Sequence, residues 1–128
     1  MSEQENRQSV ERLWQLMEKQ DWKSAGALLH DDFTQEWPQS GERIRGRDNA
    51  MAINQNYPGF PKQTMGRTLA GGDLVTSEVT LDYGGQVYHG VSVFEFRDGK
   101  IVKETDYFAQ PFEAPEWRAQ WVERTKRT

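Results

Sequence analysis

The sequence predicts an α+β domain in which helices come first and a run of antiparallel strands follows. Three observations carry this. Apolar residues recur at helical spacing near the N-terminus, and they alternate at period two over residues 74–109. The alternating segments are separated by Gly84-Gly85 and Asp98-Gly99, the short-turn signals that join antiparallel strands.

The first helix is read from Val10, Leu13, Trp14 and Met17, at i, i+3, i+4 and i+7. Asp21 is placed to cap a second helix, "WKSAGALL", ending near His30. "DDFTQEW" sets Phe33, Gln35 and Trp37 on one side and Thr34 and Glu36 on the other, a short strand stopped by Pro38. "QSGERIRG" reads as a loop or hairpin tip. "RDNAMAINQNY" has Asp48 near its start and Pro58 beyond its end, a third helix, and "YPGFPKQ" is a loop. Strands follow in "LVTSEVTLDY", "QVYHGVSVFEF" and "IVKETDYFAQ", and "APEWRAQWVERTK" reads as a terminal helix with Pro115 at its start.

With 128 residues, no repeat and no low-complexity linker, the chain is expected to form one domain spanning 1–128. There is no cysteine, which excludes disulfide and thiolate chemistry. Net charge is −4 and the basic residues are scattered, apart from "RIRGR" and a terminal "RTKR" read as frayed. Nucleic acid is therefore not expected as a partner, because it requires a concentrated basic face. No apolar leader or membrane-length segment is visible, so a cytoplasmic protein that does not bind membranes is expected. Five Trp, four Tyr and six Phe are enough to fill a core and also to wall an apolar pocket.

Turning at Gly84-Gly85 pairs Tyr83 with Gln86, then Leu81 with Tyr88, Val79 with Gly90, Ser77 with Ser92 and Val75 with Phe94. These residues form the more apolar face and should meet the helices. The opposite face carries Thr80, Val87, His89, Val91 and Val93. The turn at Asp98-Gly99 leaves two registers open. A two-residue turn pairs Arg97 with Lys100 and sends Glu104 and Asp106 outward. A three-residue loop with left-handed Gly99 pairs Phe96 with Lys100, and sets Ser92 against Glu104 and Gly90 against Asp106. Val102, Glu104, Asp106 and Phe108 then face inward and Lys103 stays in water. A slip of one residue inverts every side chain, and the lysine favours the second register.

The helical start, "LLHDDFTQEWP", "GERIRGRDNA" leading into a helix, and the strands ending "FEFRDGKIVKETDYF" occur in a telling order. Together they resemble the SnoaL-like branch of the nuclear transport factor 2-like superfamily, from the first helix to residue 117. The resemblance implies a cone of helices around a strongly curved sheet, with a ligand cavity between them. It also implies that the last strand sends alternate side chains into that cavity, with Asp106 at the place of the catalytic acid of SnoaL-like cyclases. Related steroid isomerases hold a general-base aspartate in an "E-D-P" strand where this chain has Glu36-Trp37-Pro38. That chemistry in its familiar form is therefore not expected, and Trp37 is read as an aromatic wall. The related limonene epoxide hydrolase arrangement needs an arginine between two aspartates, for which Arg45 and Arg67 are the candidates.

Inward carboxylates without partners are costly, so the cavity must bond them or raise a pKa. Asp106 is expected to be the raised group, with Glu104 tuning it, as a general acid or base requires. The expected catalytic pair is Asp106 and Glu104. The expected substrate-binding residues are Trp37, Tyr57, Tyr88, Ser92 and Phe108. Tyr88 and Ser92 share the face of Asp106 and either bond a substrate oxygen or belong to the core. Tyr57 covers the cavity mouth or packs inside. No metal is expected, since two histidines at unsuitable spacing offer no ligand set. The function expected is a cofactor-free acid–base enzyme for a small, largely apolar molecule, performing isomerisation, cyclisation or hydration. The rival is a non-catalytic binding or dimerisation module of the same fold. The apolar outer face is expected to pair two copies.

Overall fold

A computed structural model describes residues 2–125, and its elements follow the expected order with two additions, the strands Glu42–Arg45 (β2) and Lys62–Gly71 (β3). Helix α1 spans Glu3–Glu18 and opens with a capping box: Ser2 Oγ accepts from Glu5 N–H at 3.1 Å, and Glu5 Oε1 accepts from Ser2 N–H at 3.1 Å. Val10, Leu13, Trp14 and Met17 form its buried stripe, joined by Leu16 and Asn6.

Helix α2, Trp22–Gly26, is capped by Asp21 through the Ser24 N–H. It ends four residues earlier than expected. Leu29 and His30 instead open strand β1, Leu29–Trp37, where Leu29 is buried opposite Ile101. Strand β2, Glu42–Arg45, returns antiparallel to β1, so Pro38–Gly41 is the hairpin tip. Helix α3 covers Arg47–Gln55. The second addition is β3, Lys62–Gly71, which pairs with β4, Leu74–Asp82, across a register shift between Met65 and Thr68.

With β5, Val87–Arg97, and β6, Lys100–Ala109, the strands form one curved sheet in the order β2-β1-β6-β5-β4-β3. All neighbours are antiparallel except β1 and β6. Helix α1 lies on β3 and β4, while α3 lies on β1 and β2 and against α2. The core between helices and sheet includes Val10, Trp14, Phe33, Val75, Phe94 and Ile101. Within it the Trp14 indole donates to Ser77 Oγ at 3.1 Å.

The β4–β5 hairpin has the register read from its glycines, from Val75 opposite Phe94 to Leu81 opposite Tyr88. Gly84 and Gly85 both have positive φ, and Tyr83 N–H donates to Gln86 O.

The β5–β6 connection corrects the sequence reading. Asp98 and Gly99 form a two-residue turn with φ of 53° and 77°, so Arg97 faces Lys100 and Phe96 faces Ile101. The register then shifts at Val102, after which Glu95 faces Lys103, Phe94 faces Glu104 and Ser92 faces Asp106. The bulge is inside the strand instead of at the turn. It restores the parity of the expected register, so the acids do face inward, each displaced two residues along β5. Ile101, fully buried, takes the inner place that the sequence reading assigns to Val102.

Beyond β6 the terminal segment forms a single 3-10 helix, Glu116–Trp121, instead of the longer helix expected, and it buries nothing. Trp117 and Trp121 stand in solvent. A 3-10 turn with no apolar face docked has little to extend it. Lys126, the last residue of that expected helix, and Arg127 of the basic terminus lie outside the described residues.

Candidate active site

Alternation along β6 sends Glu104 and Asp106 to the helix side of the sheet, where they are 9% and 2% exposed. They line a cavity of about 500 Å³ between sheet and helices, whose walls are largely apolar: Leu13, Met17, Phe33, Trp37, Phe60 and Phe108 are among them. Burial, the neighbouring Asp106 charge and a hydrogen bond between the two carboxyl groups hold the Glu104 pKa well above the usual carboxylate range. The sequence reading places this effect on Asp106; the structure places it on Glu104. The shift favours the protonated form of Glu104.

Asp106 is embedded in donors. Ser92 Oγ donates to Oδ1 at 2.6 Å, and Gln35 Nε2 and Trp37 Nε1 donate to Oδ2 at 2.6 and 2.9 Å. Gln35 Nε2 also reaches Glu104 Oε2 at 3.3 Å, so one amide spans both acids. Such donors favour the charged carboxylate. The topology explains the convergence. Parallel pairing sets Gln35 beside Glu104, Trp37 lies two residues further on the same face, and Ser92 is directly across from Asp106. Gln39, just past β1, donates to the Asp106 backbone oxygen at 3.1 Å.

The structure thus brings together Asp106, Glu104, Trp37, Tyr57, Tyr88 and Phe108 on one cavity. Ser92 differs from its expected role. It is fully buried behind the carboxylate, and its hydroxyl donates to Asp106 and not into the cavity. Trp37 is more than a wall, because its indole N–H holds the acid. Tyr57 lies in the wall, its hydroxyl 2.6 Å from that of Tyr83. Neither candidate arginine lines the cavity. Arg67 pairs with Glu78 at 2.8 Å in solvent, and Arg45 is exposed on β2. His89 faces away, opposite Thr80. Among the described residues no three His, Cys, Asp or Glu side chains form a metal-holding group. No helix among them is long and apolar enough to cross a membrane.

Gln35, Gln39, Gln63 and Tyr83 are not singled out by the sequence. For Gln35 a signal exists, since it alternates with Phe33 and Trp37. What the sequence does not show is the parallel contact of β1 with β6.

A family model described as a SnoaL-like domain matches residues 10–104. A solved nuclear transport factor 2-like protein of unknown function from Burkholderia xenovorans is 39% identical, with a TM-score of 0.84 over 97% of this chain and 98% of that one. A putative ketosteroid isomerase from Kribbella flavida is 32% identical, with a TM-score of 0.90 over 97% and 92%. An LEH-like epoxide hydrolase from M. tuberculosis is 28% identical, with a TM-score of 0.71 over 83% and 84%. None of the curated proteins matches the chain.

Proposed function

The chain belongs to the SnoaL-like domain family, and from that premise we propose that its cavity binds a small, largely apolar organic molecule and performs acid–base chemistry on it. The observation that carries this reading is a pair of adjacent buried carboxyl groups on a largely apolar cavity wall, with the Glu104 pKa raised by burial and by Asp106. Glu104 gives its proton to a substrate oxygen as negative charge develops there. The pair takes a proton back from a carbon beside a carbonyl, or from an attacking water, so that it ends as it began. Asp106 is the base of the pair, and Gln35, Trp37 and Ser92 fix its orientation. Isomerisation, cyclisation and hydration all need this exchange, and it requires no cofactor because both the acid and the base are side chains. The likeness to a putative ketosteroid isomerase and an LEH-like epoxide hydrolase supports a reaction of this class. The base is on β6, however, and the position read from the "E-D-P" pattern is Trp37.

The test is exchange of the α-protons of 1-tetralone in D₂O, followed by proton NMR at pH 7. Exchange above buffer, lost in both Asp106→Asn and Glu104→Gln, supports the reading. Carboxyl-carbon NMR gives the independent check: Glu104 titrating as an ordinary solvated glutamate would end it.

A second reading has its own observation. Both oxygens of Asp106 already accept protein donors, as suits a carboxylate that shapes a binding cavity without turning over its ligand. Saturable 1-tetralone binding with no exchange in the unmodified protein would favour that module.

A further inference from the structure

The cavity has a second polar end that the acid pair does not explain. Gln63, on β3, lines it, and its Oε1 is buried with no hydrogen-bond partner among the described residues. Gln63 stands opposite Leu81, and Tyr83 lies two residues beyond Leu81, just past the end of β4. Gln63, Tyr57 and Tyr83 all line this one cavity. The Tyr57 and Tyr83 hydroxyls are 2.6 Å apart. One of the two donates to the other, which leaves the second proton without a protein acceptor among the described residues. Burial and the Tyr57 hydroxyl push the Tyr83 pKa upward, so its hydroxyl stays a neutral donor throughout the physiological range.

We propose that Gln63 and the Tyr57–Tyr83 pair form a subsite for a hydroxyl group at the end of the substrate remote from the acids. The substrate hydroxyl donates to the empty Gln63 oxygen and accepts the spare tyrosine proton. A buried acceptor left unpaired is unfavourable until such a group arrives, and this turns an ordinary cavity into one that selects. A methyl or a bare ring edge at that end leaves both protein groups unmatched and is rejected. The subsite also sets a length. Gln63 and Asp106 are separated by three strand spacings and about four residues along the sheet, roughly 20 Å of backbone on a flat sheet, shortened by the curvature and by the inward reach of the side chains. The substrate class is therefore a fused-ring or comparably long apolar body, with an oxygen for Glu104 at one end and a hydroxyl at the other. This rests on the acid–base reading for the identity of the first end, and not for the second.

Binding of 6-hydroxy-1-tetralone and 1-tetralone, measured by tryptophan fluorescence at pH 6.5, tests it without requiring turnover. The hydroxylated compound is expected to bind about tenfold more tightly, as one matched polar group allows. Gln63→Leu and Tyr83→Phe should each bring the ratio of the two affinities toward one. Melting curves show whether each variant is folded, and Gln63→Leu should melt no lower than the parent. Equal binding of the two compounds overturns the subsite and leaves the apolar cavity standing. A preference that survives both substitutions overturns it as well. If neither compound binds, the cavity reading fails and the subsite falls with it.

Discussion

The indole Nε1 of Trp37 is 2.9 Å from Asp106 Oδ2, a bond that joins the end of β1 to the middle of β6 across the floor of the cavity. Trp37→Phe removes the donor and keeps a ring. The carboxylate then retains two side-chain donors, and the loss of a bond to a charged group is expected to cost about 1.5–3 kcal/mol. Asp106→Asn should destabilise as well, because an amide nitrogen now meets N–H and O–H donors that a carboxylate accepts. Urea unfolding at pH 7 measures both. If Asp106→Asn is neutral, the donors are not organised around a charge.

Glu104 gives stability a sign with pH. Its folded pKa is raised well above the ordinary 4.5, so the folded state binds the proton more tightly. That contribution is fully present below about pH 4.5 and is lost as pH rises toward the folded value, by up to about 1.4 kcal/mol for each pH unit crossed. Glu104→Gln has no proton to lose. Its melting temperature should fall less than the parent's between pH 5 and pH 8, and should equal or exceed it at pH 8. Parallel profiles would mean that Glu104 is solvated.

Gly90 allows Phe108 to lie close against the sheet. A Cβ there would come within 2.7 Å of the Phe108 ring and 3.0 Å of the Tyr107 backbone oxygen. Gly90→Ala should therefore displace the ring and destabilise by about 1–3 kcal/mol. Because Phe108 lines the cavity, 1-tetralone affinity should change with it, whereas an alanine at the exposed turn residue Gly41 should leave affinity alone.

On the outer face Val91 and Tyr107 are cross-strand partners, 40% and 50% exposed. We propose that two copies pair through this face, since isologous contacts close with two subunits. Sedimentation at micromolar concentration should give about twice 14.9 kDa, and Val91→Glu should return the monomer with its melting curve little changed. A monomeric parent would remove the idea.

What was legible depended on distance along the chain. The β4–β5 register followed from two adjacent glycines, and its pairs are those observed. Strand β3 was not legible because a register shift between Met65 and Thr68 interrupts the alternation that would announce it. The inward face of Glu104 and Asp106 was read correctly, but their partners were not. Ser92 meets Asp106 and not Glu104 because the extra residue sits at Val102, where nothing local marks it. Gln35 reaches Asp106 across 71 positions of sequence, through a parallel contact that no turn encodes.

Val102 makes the last strand behave like a reading frame. Upstream of it the chain is locked to a tight two-residue turn; downstream every second residue is addressed to the cavity. Were Val102 paired regularly instead of bulged, the message would be rewritten: Phe94 would meet Lys103, and Lys103, Thr105 and Tyr107 would turn inward and both acids out. Deleting Val102 itself would remove the bulge and leave the pairs downstream as they are. A shift of two residues would preserve the message but move each acid to a new row, away from Ser92. The chemistry of the cavity thus depends on where along β6 the extra residue is absorbed as well as on the acids themselves, because the bulge at Val102 is what brings both into line with the inner face.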